Sequence, residues 1–168
     1  MGPHRTRKGI VLALAIAASP VAAQQAGWQY SPLPGEGDRA TLGCDRDATP
    51  QSYTCLAVRC EDDFSVGIHV HTSRLDKLGA WEITLDRENA SFTAEASEAP
   101  YGGRFVERAE WLLERIRQGT FIYLRHENDQ YGSFAYIGLD GSLYAINQAL
   151  AFCAPRVPQA EPIAEPGV

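Results

Sequence analysis

Eighteen residues, CLAVRCEDDFSVGIHVHT at 55–72, hold two cysteines, three consecutive acids and a His-x-His pair. Histidines at i and i+2 of a strand project to the same side, so His69 and His71 could chelate one ion, and imidazole nitrogen suits zinc or copper. A third ligand would come from His126, or from Glu61, Asp62 or Asp63. A catalytic zinc needs three protein ligands in fixed geometry with outer partners that orient them, and spacing supplies only the two strand histidines. The three acids could also serve acid–base chemistry, but successive carboxylates in a hairpin loop are more often a solvated turn. No G-x-S-x-G elbow, phosphate-cradling glycine loop or C-x-x-C pair occurs in the chain. No catalytic residue or cofactor is assigned from these patterns, and the metal reading stands as the alternative.

The compartment decides how the cysteines are read. Arg5, Arg7 and Lys8 precede an apolar run from Ile10 to Ala18, and Val21-Ala22-Ala23 closes the segment with small residues. This reads as a secretory signal over 1–23, whose apolar run is too short to span a bilayer. Beyond it lie 12 basic and 21 acidic residues, a net charge of −9. Such acidity disfavours nucleic acid and other polyanions as partners. Cys44, Cys55, Cys60 and Cys153 are an even set, which in an oxidising compartment reads as two disulfides with three possible connectivities.

The elements that must position these residues follow from periodicity. Residues 24–45 are rich in proline and glycine, with Trp28 and Tyr30 expected to dock this lead-in onto the core. From Tyr53 to Cys60 the pattern alternates, placing Thr54, Leu56, Val58 and Cys60 inward and Cys55, Ala57 and Arg59 outward. Phe64, Val66, Ile68 and Val70 continue the inward face beyond the Glu61–Asp63 loop, so His69 and His71 fall outward beside Arg59. Trp81, Ile83 and Leu85 mark a third strand, and Phe92 and Ala94 a fourth. The stretch RFVERAEWLLERIRQG changes to a helical period with Val106, Ala109, Leu112, Leu113 and Ile116 on one side and Gly119 as its stop. A strand pair, TFIYLRH and SFAYIGL, precedes a second helix with Ser142 as N-cap and Leu143, Ile146, Leu150 and Cys153 as its stripe. The order ββββ-α-ββ-α implies an α+β fold, an antiparallel sheet with two helices packed on one face. Residues 24–153 would be the single domain and 154–168 a disordered proline-rich tail.

Strand parity bears on the disulfides. Cys60 and Cys153 both face inward, whereas Cys55 points toward the loop that holds Cys44, so Cys44–Cys55 and Cys60–Cys153 is the expected pairing. A one-residue bulge would exchange it for Cys44–Cys60 and Cys55–Cys153. On the late hairpin Phe121, Tyr123, Phe134 and Tyr136 share one face while Ile122, Leu124, Ala135 and Ile137 share the other. Both faces are apolar, so each must be covered within the domain or by a partner.

The stretches WLLERIRQGTFIYLRH and FAYIGLDGSLYAINQALAFC, within Trp111 to Cys153, resemble the ending of small secreted bacterial proteins of the invasion-associated locus B type. The resemblance implies a non-catalytic periplasmic protein linked to envelope function or host interaction, with no catalytic residues to transfer. The expectation is therefore a small, acidic, secreted or periplasmic binding or envelope-associated module. Arg59, His69, His71, Tyr123 and Tyr136 are its candidate contact residues, another protein or an envelope component its partner. The alternative is a metal-binding protein or metal-dependent hydrolase using His69 and His71 with His126.

Overall fold

The computed structural model describes residues 27–30, 40–129, 134–151 and 153; the leader and the proline-rich tail lie outside the described residues. Among these, the strands are β1 (Gly27–Tyr30), β2 (Ala40–Cys44), β3 (Thr54–Cys60), β4 (Val66–Thr72), β5 (Gly79–Leu85), β6 (Glu88–Ala96), β7 (Gly103–Phe105), β8 (Phe121–His126) and β9 (Ala135–Gly138). Two helices, α1 (Ala109–Gln118) and α2 (Ser142–Leu150), flank the β8–β9 pair. All nine strands join one antiparallel sheet in the order β1-β2-β3-β4-β7-β6-β5-β8-β9. The molecule is thus more sheet-dominated than the order ββββ-α-ββ-α implies. Seven strands rather than four precede α1, because β1, β2 and the short β7 escape the periodicity.

One apolar core draws on nearly every element: Leu56 and Val58 of β3, Ile68 and Val70 of β4, Trp81 and Ile83 of β5, Phe92 of β6, Phe105 of β7, Ile122 of β8 and Ile137 of β9. Leu112 and Ile116 of α1 and Ile146 of α2 complete it. A sheet of this length can converge on one core only by curling, as twist favours. Its far ends do approach each other, since the Arg46 N–H just after β2 donates to the Tyr136 carbonyl of β9 at 2.9 Å. Trp28 of β1 adds a second tie, its Nε1 donating to the Gly138 carbonyl at 3.0 Å. The Trp28 ring lies across Gly43, where any Cβ would collide with it. Trp28 therefore docks the lead-in as expected, while Tyr30 stays exposed.

Four local expectations are corrected by the structure. Phe64 is 61% exposed rather than inward, because it sits in a left-handed conformation (φ 64°) at the tip of the β3–β4 turn and the strand resumes only at Val66. Val106 is exposed and outside α1, which begins after the left-handed Arg108 (φ 51°). Ser142 does not cap α2 with its side chain; Gly141 holds the cap position, and Ser142 Oγ donates to the Ile116 carbonyl of α1 at 2.8 Å. Leu143 is exposed, since α2 buries the small residues Ala145 and Ala149 beside Ile146. Gly119 does end α1, its N–H donating to the Arg115 carbonyl.

Cys44–Cys55 and Cys60–Cys153 are the two disulfides, as parity implied. The first closes a short loop of sequence separation 11 and the second one of 93, tying α2 to β3. In the chain-entropy picture the long loop is worth about 4–5 kcal/mol and the short one about 3 kcal/mol. Denaturant unfolding of the Cys60→Ala/Cys153→Ala variant should therefore show the larger loss of stability, against a smaller loss for Cys44→Ala/Cys55→Ala.

Candidate functional site

The register of β3 with β4 sets Cys55 against His71, Ala57 against His69 and Arg59 against Gly67, so the histidines do share the face opposite the main core. That face is not the solvated surface expected for Arg59, His69 and His71. It is roofed by the segment that follows β6, whose Tyr101 is completely buried and packs with Cys55, Ala57, Ala40 and Leu42 in a second apolar cluster. The Tyr101 ring centroid lies 6.2 Å from that of His69 and 5.9 Å from that of His71, and the Tyr53 ring meets His71 at a tilt, 5.0 Å between centroids. Gly102 allows the approach: it holds φ 84°, and a Cβ there would come within 2.5 Å of the Val70 carbonyl oxygen.

At one end of this roofed face lies Glu61. Its carboxylate accepts a hydrogen bond from His69 Nε2 at 2.8 Å and an ion pair from Arg59 Nη1 at 2.9 Å, with Arg104 Nε of β7 at 3.9 Å. Arg104 also reaches Ser65 Oγ at 3.3 Å. Burial alone would push the Glu61 carboxyl up, but the His69 hydrogen bond and the charges of His69, Arg59 and Arg104 outweigh it and hold the group below the usual carboxylate range. Because an ionised carboxylate only accepts, Nε2 carries a proton toward it, and Nδ1 has no hydrogen-bond partner among the described residues. Gly67 makes the geometry possible, since a Cβ there would land on the Glu61 carboxylate. A glycine inside the strand pattern SVGIHVH is the signal that could have revealed this close approach; Tyr101 and Arg104 left no comparable trace.

An imidazole held by a carboxylate resembles the orienting half of a general-base arrangement. Here the ring is completely closed off from solvent, so the pair anchors the β3–β4 turn instead of facing a substrate. His71 is pushed down to about 4 by burial, with the Lys77 charge adding to the effect, and is neutral at physiological pH. His126 is not brought to the pair. It lies at the end of β8 on the same face as the core residues Ile122 and Leu124, with Nε2 donating to the Leu78 carbonyl at 2.8 Å, Nδ1 accepting from Asn128 N–H at 3.2 Å and its ring against Trp81. Among the described residues no three His, Cys, Asp or Glu side chains gather as an ion-binding group.

The second candidate region is the outer face of β8–β9. Phe121, Tyr123 and Tyr136 are half-buried there and Phe134 is exposed. Their rings interlock: Phe121 stacks on Tyr136 at 5.9 Å, Tyr123 meets Tyr136 edge-on at 5.2 Å, and Phe134 meets Tyr123 at 5.9 Å. Arg46 lies 5.1 Å over Tyr136 and Arg125 lies 4.7 Å over Phe134. The opposite face, with Ile122, Leu124, Ala135 and Ile137, belongs to the core. Beside the rings, Ala80, Glu82, Asn89, Ala90, Ser91, Arg125 and Glu127 line a hollow of about 400 Å³ on the outside of β6, β5 and β8. These polar residues become neighbours only through the β6-β5-β8 register.

Comparison with protein-family models, curated proteins and solved structures finds no match to the chain.

Two measurements check the Glu61–His71 face. Glu61→Gln should cost about 1–3 kcal/mol at pH 7 by leaving buried donors poorly paired, and Gly67→Ala should reproduce most of that loss by displacing the same carboxylate. A group whose folded value is depressed contributes fully above its unfolded value and loses that contribution as pH falls through the folded one. The gap between wild type and Glu61→Gln should accordingly narrow below about pH 4. For His71, ring NMR should give a titration midpoint near 4. Folding stability should then decline as pH falls from about 6.5 toward that midpoint, because the unfolded imidazole takes the proton first. In His71→Gln that part of the slope should vanish.

Proposed function

We propose that the chain is a non-catalytic binding module of a secreted or periplasmic setting, and that it presents the outer face of β8–β9 to another protein or an envelope component. The observation that carries this reading is the four-ring surface of Phe121, Tyr123, Phe134 and Tyr136 on the side of the sheet away from the core. An antiparallel sheet with one face on the core normally turns polar residues outward. Adjoining aromatics flanked by arginines are instead the composition enriched at recognition surfaces. Two disulfides accord with an oxidising compartment. No described helix is long and apolar enough to cross a membrane. The likeness of residues 111–153 to the invasion-associated locus B type of protein supports an envelope role.

Within this reading the contact residues are Tyr123 and Tyr136, whereas Arg59, His69 and His71 hold the fold. The alternative, metal binding or metal-dependent hydrolysis through His69 and His71, has less behind it. His69 commits Nε2 to Glu61 inside a closed cluster, and both ring nitrogens of His126 are engaged elsewhere.

Co-sedimentation of the oxidised protein with an envelope fraction from its source cell tests the proposal. Binding should fall about tenfold or more in Tyr123→Ala/Tyr136→Ala and remain unchanged in Tyr144→Ala, which alters a 72% exposed residue of α2. Equal binding by all three, with thermal melts confirming that each is folded, would count against the β8–β9 face.

A further inference from the structure

The hollow and the ring surface share Arg125, which lines the first and lies over Phe134 in the second. Register continues the relation: Arg125 opposes Glu82 and Tyr123 opposes Thr84, so the rings and the polar side chains form consecutive rows of one outer face. The polar row is ordered before any ligand arrives. Asn89 Nδ2 donates to Glu82 Oε1 at 2.8 Å, Thr84 Oγ1 donates to Asn89 Oδ1 at 3.3 Å, and Arg125 pairs with Glu82.

We infer that this face binds a neutral polysaccharide strand, one sugar of which lies on Tyr123, flanked by Tyr136, while its hydroxyls bond to Glu82, Asn89 and Ser91. The inference rests on the reading of β8–β9 as the binding face and names the class of ligand. A pyranose has C–H faces that suit the negative face of an aromatic ring and hydroxyls at its rim that both donate and accept. Mutually packed rings beside a carboxylate, an amide and a hydroxyl offer both kinds of contact at little ordering cost. Charge narrows the class. Glu82 and Glu127 line the hollow, and the whole chain carries −6, which opposes a polyanion. Arg46 and Arg125 stand over the rings and oppose a polycation. A neutral strand meets neither barrier.

The test is titration of the oxidised protein with cellohexaose, chitohexaose, xylohexaose and mannohexaose, followed by aromatic-ring NMR, with a heparin fragment as the polyanionic comparison. At least one neutral hexasaccharide should shift the Tyr123 and Tyr136 resonances to saturation and leave those of Tyr144 in place, with heparin inert. Affinity should drop about tenfold in Tyr123→Ala and measurably in Asn89→Ala, both checked for an unchanged fold. Silence with all four sugars, or equal affinity in the folded variants, overturns the inference. If the sugars fail while tyrosine-dependent co-sedimentation with envelope persists, the binding face stands and only the ligand class falls. If both fail, the binding face falls with it.

Discussion

The sheet depends on a seam three residues wide. Gly103–Phe105 pairs on one side with His69 and Val70 and on the other with Ala94–Ala96, and so joins β1–β4 to the β6-β5-β8-β9 group. A Cβ at Gly103 would press within 2.8 Å of the Lys77 carbonyl oxygen and 3.0 Å of Ala94, which leaves the position to glycine. Phe105 enters the core beside Phe92 at 5.7 Å, and Arg104 points the other way toward Glu61. One short strand thus couples the apolar interior to the charged network. The opposite closure, through Trp28 and Arg46 onto β9, completes a curled sheet around the two helices.

Burying both faces of β3 and β4 imposes a different demand. Branched aliphatics fill the inner face; the outer face carries alanine, a disulfide and two histidines under Tyr101. Unpaired polar atoms are costly on such a face, and Glu61, folded back over Gly67, supplies partners for His69 Nε2 and Arg59 Nη1. The histidines that looked most chemical are therefore absorbed into packing. The residues turned outward lie on the far half of the sheet, where the aromatic and polar rows adjoin.

How much of this was legible depended on the range of the interaction. Alternation along β3 placed Cys55 and Cys60 on opposite faces, which was enough to indicate both disulfide partners. The parity of His69 and His71 was equally plain, but what covers them is Tyr101, thirty residues away, and no local pattern encodes a roof. The seam was hidden for the same reason: Gly-Arg-Phe is a strand only because two other strands flank it. Phe64 and Val106 misled because a single left-handed residue, Phe64 itself or Arg108, halts a periodicity that side-chain type alone would prolong. Leu143 misled because close helix packing favours the smaller Ala145 and Ala149. The aromatic row could be read along each strand, whereas its polar neighbour on β5 and β6 required the pairing of strands distant in sequence.

Cys60–Cys153 has a topological consequence. Everything from β4 through α2 lies between its two sulfurs and forms a covalent ring, with β1–β3 attached at one point. A protease cutting once inside that ring, for instance beside the 98% exposed Leu75, opens the chain without releasing a fragment. The nicked molecule keeps its mass, and its two segments stay at intramolecular concentration and paired in the sheet. In a compartment rich in proteases, a single scission is thereby separated from loss of the protein.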